Sequence, residues 1–391
     1  MSDLRRIRVD QIGSLCSPPK LQSVFARYKR GAVTGQALSD AQDEAIHAVV
    51  AMQNSIGLPV VTDGELRRRN FQESFGLSVA GFDTATEDKS MEGVTTAPLA
   101  RAEQNFSAPG PAIVTRRKAV ERLRLVRNVP LDEYRFVSKL TKTPAKVTVL
   151  SPDRISQRFD WQNSTAVYPG MDEFLADVVE ISRRIIRDLV DAGCTYIQID
   201  APGYTAYADK VSRDRMRSRG EDPERNLEKS IAADNALVEG FPGVTFGIHL
   251  CKGNARTVDP ATGKVRPQWH REGHYDAIAE RVFSELKHHR FLLEYDDGRS
   301  GGFEPLRHIR KGAVAVVGLV TTKSPDVEDG EFLKRRIDDA AKHLPLDQLA
   351  ISPQCGFGGL DLLVIPEEQQ WRKFERMMEV AIDVWGSGES A

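Results

Sequence analysis

Four residues in this 391-residue chain have side chains of the kinds that hold metals: His249, Cys251, Glu294 and Cys355. They offer one imidazole, two thiolates and one carboxylate, the N, S and O donors that Zn²⁺ takes in near-tetrahedral sites. Soft sulfur ligands favour zinc over Mg²⁺ or Ca²⁺. The two cysteines stand 104 residues apart, so the set is neither a finger nor a C-x-x-C knuckle, and only tertiary folding could assemble it. Taken alone, an H-x-C pair is more often a buried histidine packed beside a buried thiol. Two bound cysteinates keep zinc electron-rich, which weakens it for water hydrolysis and suits it to hold an external thiol as thiolate. The ligand mix therefore points to alkyl transfer onto sulfur, with Glu294 as the ligand that yields to an arriving thiol. A purely structural zinc site is the alternative.

Other polar residues recur just after apolar runs: Ser14, Glu65, Asp200 and Lys323. Glu65 and Asp200 could bind the ammonium of an amino-acid thiol, and Ser14 its carboxylate; helix caps and turns are the plainer reading. Arg67 opens the run Arg67-Arg68-Arg69 and could clamp a substrate carboxylate in a bidentate pair. Lys252 and Asn254 follow the proposed ligands and could orient the loop or touch substrate. Lys323 could add positive charge to the pocket or pair with a carboxylate. Cys194 reads as a core thiol, and His270, His274, His288 and His289 as surface or helix residues. Cys16 could approach the pocket or be buried.

The elements that must position these residues are short runs of Val, Ile, Leu and Tyr at 8–12, 58–62, 145–150, 195–199, 244–250, 290–295, 313–320 and 349–353. Such runs suit strands buried on both faces. Helical patterns separate them at 38–56, 171–192, 222–240, 271–288, 302–311, 330–344 and 366–385. Eight strands alternating with helices predict one (β/α)8 TIM barrel, with a doubly wound sheet as the other closure. In a barrel the carboxyl ends of all strands converge on one rim, so polar residues there share one pocket. The gap at 77–143 predicts an inserted hairpin or cap between early strands, and 255–270 a second excursion. No internal repeat is present, and residues 1–391 read as a single catalytic domain.

Composition closes off other classes. Fifty-four Lys+Arg oppose 56 Asp+Glu, which removes the simplest case for nucleic acid or an anionic membrane. No apolar run approaches 18 residues, and the start, MSDLRRIRVD, reads as a charged strand segment rather than a signal peptide. Four scattered cysteines resemble no secreted disulfide framework. A cytoplasmic enzyme is expected.

The ordered motifs IGS (12–14), VVTDGE (60–65), YIQID (196–200), GIHLCKGN (247–254), LLEYD (292–296), GLVTTKSPDVE (318–328) and SPQCGF (352–357) resemble those of the cobalamin-independent methionine synthase family. The likeness is to its catalytic carboxyl-terminal barrel and short single-domain relatives, and it runs nearly the whole length. It implies catalytic zinc on His249, Cys251, Glu294 and Cys355, with the homocysteine amino group near Glu65 and Asp200 and its carboxylate near Ser14. Departures bear on the methyl donor. Two-barrel members use a second barrel to help bind a polyglutamylated folate, and this length leaves no room for one. Ala201 stands where the family has an acidic residue, Lys323 replaces a family histidine, and no aromatic platform follows Ser151. The donor is thus open among a methylated folate, a methylcorrinoid carried by a corrinoid protein, and a small methylated compound. The expected reaction is zinc-dependent methyl transfer to homocysteine, giving methionine. The alternatives are a thiol transferase acting on an epoxide or other electrophile, as in the coenzyme M branch, and a non-catalytic zinc-binding barrel.

Overall fold

The computed structural model describes residues 3–68, 71–83, 117–253, 256–258, 265–267, 271, 273–358 and 365–386. Strands are numbered along the chain. β1 (Val79–Phe82) and β2 (Ala119–Leu125) pair as an antiparallel hairpin, as the reading of 77–143 expects, and residues 84–116 lie outside the described residues. The helix Val129–Val137 follows and packs on β3 (Lys146–Leu150). Next come β4 (Tyr196–Asp200), β5 (Thr245–Leu250), the short hairpin β6 (Arg256–Val258) and β7 (Val265–Pro267), β8 (Arg290–Glu294), β9 (Val314–Val320) and β10 (Leu349–Pro353).

Six strands form one parallel sheet in the order β10-β9-β8-β5-β4-β3. Every residue of these strands is buried, which is why they read as unbroken apolar runs. The segments expected as strands at 8–12 and 58–62 differ. Each touches the sheet through one bridge, Val9 to Ile351 at the β10 edge and Val61 to Ala145 at the β3 edge. Between them, side-chain amides replace the ladder. Gln11 Nε2 donates to Val60 O (2.9 Å), Thr62 N donates to Gln53 Oε1 (2.9 Å), and Gln53 Nε2 donates to Thr62 O (2.9 Å). The ring closes into a barrel, and a doubly wound sheet is set aside.

The helix Met171–Asp191 shows how the shell is held. Phe174, Val178, Ile181, Ile185, Ile186 and Leu189 return every three or four residues and are all buried. Full burial of each such side chain contributes roughly 1.5–3 kcal/mol. Two expected helices are shorter than their patterns. The 271–288 stretch yields only turns at Tyr275–Ala277 and a helix Ala279–Glu285, because Ile278 leaves helical geometry at φ −132°. The 302–311 stretch is a 3₁₀ turn, Glu304–His308, with Pro305 near its start. Helices at Pro19–Lys29 and Lys210–Ser218 carry few buried residues, so no apolar stripe announced them.

Candidate active site

His249 lies near the end of β5, Cys251 directly follows that strand, and Cys355 follows β10. Their donor atoms all lie within 4.8 Å of one another, and the Cys355 and Cys251 sulfurs are 3.7 Å apart. His249 Nδ1 sits 3.2 Å from the Leu292 carbonyl. A carbonyl can only accept, so Nδ1 carries the proton and Nε2 keeps its lone pair. Among the described residues that buried Nε2 has no hydrogen-bond partner. Buried polar atoms are rarely left so, and an orphaned imidazole nitrogen beside two thiols is what a metal would satisfy. The Cys355 hydrogen bond, against the opposing cost of burial and with the His249 imidazole alongside, holds the Cys251 thiol well below its usual range. The hydrogen bond from the Cys355 thiol to the Cys251 sulfur favours a thiolate at Cys251. The residues present fit zinc.

Glu294, the expected fourth ligand, lies outside that trio and groups instead with Asp296 and Asp297. Its Oε2 accepts from the Lys252 backbone N–H (2.8 Å), and its Oε1 pairs with Arg299 and, at 3.7 Å, with Lys323. Burial pushes the Glu294 carboxyl up to about 7, against the pull of Arg299. Lys323 also bonds Asp297 (2.7 Å) and Asp296 (2.8 Å). It therefore works as a counter-charge within a carboxylate cluster. Lys252 is buried, with Nζ 3.1 Å from Ser300 Oγ and 4.4 Å from the Tyr275 ring centre.

The other two carboxylates meet near the first loops. Asp200 ends β4, accepts from Gln198 Nε2 (2.6 Å), and is pushed up to about 7 by burial and then by the Glu65 charge. Glu65 Oε1 accepts from Thr148 Oγ1 (2.6 Å) and Arg68 (3.2 Å). Its backbone adopts φ 55°, the one positive value among described non-glycine residues. Such a conformation costs roughly 1–3 kcal/mol and marks sites where position outweighs stability. Gly13 lets this carboxylate approach, since a Cβ there would meet Thr148 Cγ2 at 2.8 Å and Glu65 Oε1 at 3.2 Å. Gly356 does the same for Ser14, whose Oγ would be 1.8 Å from a Cβ. Ser14 is thus seated beside the Cys355 loop.

Arg67 does not join this group: it pairs with Asp43 and stacks 4.7 Å over the Phe136 ring. Its neighbour Arg68 is the buried one, bonding Glu65, Thr148 and both oxygens of Glu133. The φ of Glu65 turns the chain so that the second arginine, not the first, points inward. Asn254 lies outside the described residues. Cys194 is buried, with its thiol pushed up to about 12; Cys16 is buried too, its Sγ 3.4 Å from Ile365 O. His288, expected at the surface or on a helix, is fully buried just before β8. Arg154, Arg271 and Arg299 carry no signal in the sequence, because arginines are abundant and burial is not visible in composition, whereas Arg68 stood in the basic run beside Arg67.

A family model described as the catalytic domain of cobalamin-independent synthase matches residues 9–124 and 291–381. YxjH of Bacillus subtilis, itself uncharacterized, is 31% identical over 97% of this chain and 94% of its own length. The methionine synthase of Pyrococcus abyssi is 23% identical over 90% of this chain and 86% of its own. Among solved structures, a putative vitamin-B12 independent methionine synthase from Listeria monocytogenes superposes with a TM-score of 0.71 at 23% identity, covering 97% of this chain and 98% of that one. A B12-independent methionine synthase from Shewanella, solved with selenomethionine, gives 0.68 at 18% identity, covering 97% of each. These likenesses establish the TIM-barrel fold, and the family's independence of cobalamin gives no support to a corrinoid protein as partner. On the matched residues and the full-length relatives, the chain belongs to the cobalamin-independent synthase catalytic-domain family.

Proposed function

We propose that the chain is a zinc-dependent thiol S-methyltransferase acting on homocysteine to give methionine, as one cytoplasmic catalytic unit spanning residues 1–391. The observation that carries this reading is the rim cluster of His249, Cys251 and Cys355 with its orphaned His249 Nε2. These three side chains would hold zinc, with Glu294 as the exchangeable fourth ligand. Zinc, when bound, supplies acidification of an incoming thiol at neutral pH.

The chain's own residues do the rest. Glu65 and Asp200 present two buried carboxylates toward one region, suited to an ammonium group. Ser14, set beside the Cys355 loop, donates to the amino-acid carboxylate. Arg299 and Lys323 compensate Glu294 so that its release leaves no unpaired anion. Alignment of thiol and donor in one rim supplies several kcal/mol in a two-substrate reaction. The related Shewanella barrel binds selenomethionine, a ligand of the product's shape, which supports the amino-acid thiol over a coenzyme thiol.

Zinc measured on natively purified protein, with homocysteine-dependent methyl transfer before and after chelation, tests the proposal. Close to one zinc per chain and activity lost on chelation are expected. Less than about 0.3 zinc per chain, with full activity after chelation, would sink it.

A further inference from the structure

The 77–143 excursion carries a buried charge that the mechanism above does not use. Its helix Val129–Val137 packs on β3 and buries Leu131, Tyr134 and Val137, and Glu133 is buried with them at 4% exposure. A carboxylate on such an apolar face is costly unless it is paired. The helix start is anchored from two sides. Asn128 Oδ1 accepts from Leu131 N–H (3.1 Å), and Asn128 Nδ2 donates to Ile185 O (3.2 Å) and Asp188 (3.1 Å).

The partner of Glu133 is Arg68. Arg68 Nε donates to Glu133 Oε1 (2.9 Å) and Nη2 to Oε2 (2.6 Å), a bidentate fork that fixes the guanidinium plane. Its remaining N–H groups reach Thr148 O (3.0 Å), Thr148 Oγ1 (2.8 Å) and Glu65 Oε1 (3.2 Å). Every donor of Arg68 is thereby spent, and none is left for a substrate carboxylate. Against the cost of burial, the charges of Glu133 and then Glu65 hold this guanidinium well above its usual range. Thr148 Oγ1 relays the grip, donating to the same Glu65 Oε1 (2.6 Å). Glu65 is thus held by one oxygen. Among the described residues its Oε2 accepts no hydrogen bond.

We propose that Glu133 is a positioning residue for the amino-acid thiol: through Arg68 it keeps Glu65 fixed and negatively charged, with Oε2 open to the substrate ammonium. The two carboxylates and the guanidinium between them carry one net negative charge. Without Glu133, Arg68 and Glu65 cancel, and an ammonium meets a neutral pair. The assignment rests on the homocysteine reading above and gives the excursion a part in choosing the substrate.

Zinc-loaded full-length protein is titrated calorimetrically with L-homocysteine and with 4-mercaptobutanoate, which is homocysteine without its amino group. Wild type should prefer homocysteine about tenfold or more. Glu133→Gln, uncharged and of the same shape, should weaken homocysteine about tenfold and leave 4-mercaptobutanoate within about threefold. Glu133→Asp, which keeps the charge but withdraws the carboxylate, should lose about threefold of the preference, and it carries the test where the glutamine variant does not fold. Urea titrations and zinc content are measured on every sample. A residue that serves only the fold would weaken both thiols alike, so a preference unchanged in the folded variants overturns the proposal while the homocysteine reading stands. Equal binding of the two thiols by wild type also overturns it, and leaves a thiol substrate without an amino-group clamp. Wild type that binds neither thiol overturns the homocysteine reading and the role of Glu133 with it.

Discussion

The two ends of the barrel bury charge in opposite ways. At the amino ends of the strands, Asp10 meets Lys146 of β3 (2.8 Å), Tyr196 of β4 (2.6 Å) and Arg290 of β8 (2.9 Å), and the three charged side chains are wholly buried. Arg290 spends its remaining donors on the Arg5 and Ile7 carbonyls. Burial alone would raise the Asp10 carboxyl, but the charges of Lys146 and Arg290 carry it below the usual range. At the carboxyl ends, partners run short. Among the described residues His249 Nε2, Arg271 Nε and Asp63 Oδ2 have no partner, and Glu65 is held in a costly backbone conformation. A fully paired cluster ties strands together and offers nothing to a ligand. An under-paired one holds binding capacity in reserve.

The contrast predicts that mutations at the two ends separate activity from stability. The largest effect belongs to the rim. Cys355→Ala should reduce methyl transfer by about 10³-fold or more, equivalent to roughly 4 kcal/mol, while unfolding stability moves by less than about 1 kcal/mol. Steady-state rates beside urea titrations check both halves, and a variant that unfolds but keeps its rate per folded molecule would break the contrast. At the other end, Asp10→Ala leaves Lys146 and Arg290 buried without a counter-charge and should cost about 3–5 kcal/mol. Activity per folded molecule should survive there, which denaturant melts and active-site titration would show.

The smallest effect is set by pH. His288 is fully buried, and among the described residues both its ring nitrogens lack a partner; burial, then the charges of His289 and Arg310, push it down to about 3. Its unfolded value is near 6.5, so between those limits the unfolded chain takes up the proton more readily. The contribution is complete above about 6.5 and is lost as pH falls toward 3. By linkage, wild type should lose about 2–3 kcal/mol from this residue between pH 7 and 4.5. His288→Phe should remove that slope in urea midpoints, and an unchanged slope would show that the buried imidazole is not its source.

Much of this was legible along the chain. The six ladder strands follow from local apolar runs, since a strand buried on both faces leaves that imprint without reference to its neighbours. The polar residues at their ends follow too, and among them His249, Cys251 and Cys355 meet. Segments 8–12 and 58–62 carried the same imprint yet form no ladder, because closure runs through Gln11 and Gln53. The choice of Arg68 over Arg67 was hidden for a related reason: a turn's phase depends on one φ at Glu65, not on the type of residue that follows.

The order of residues along the chain sets which side-chain types stand at strand ends, and with them the soft-donor chemistry that two cysteines and a histidine make available. Which groups go unpaired follows from the folded barrel alone. It set Glu294 among Arg299, Lys323 and the Lys252 backbone N–H, outside the sulfur cluster, and it buried Arg154 and Arg271 with no carboxylate of the described residues in ion-pair reach of either. Residue types are local and can be read one at a time. Burial and compensation depend on what distant segments bring to the same point, and that is known only once the barrel closes.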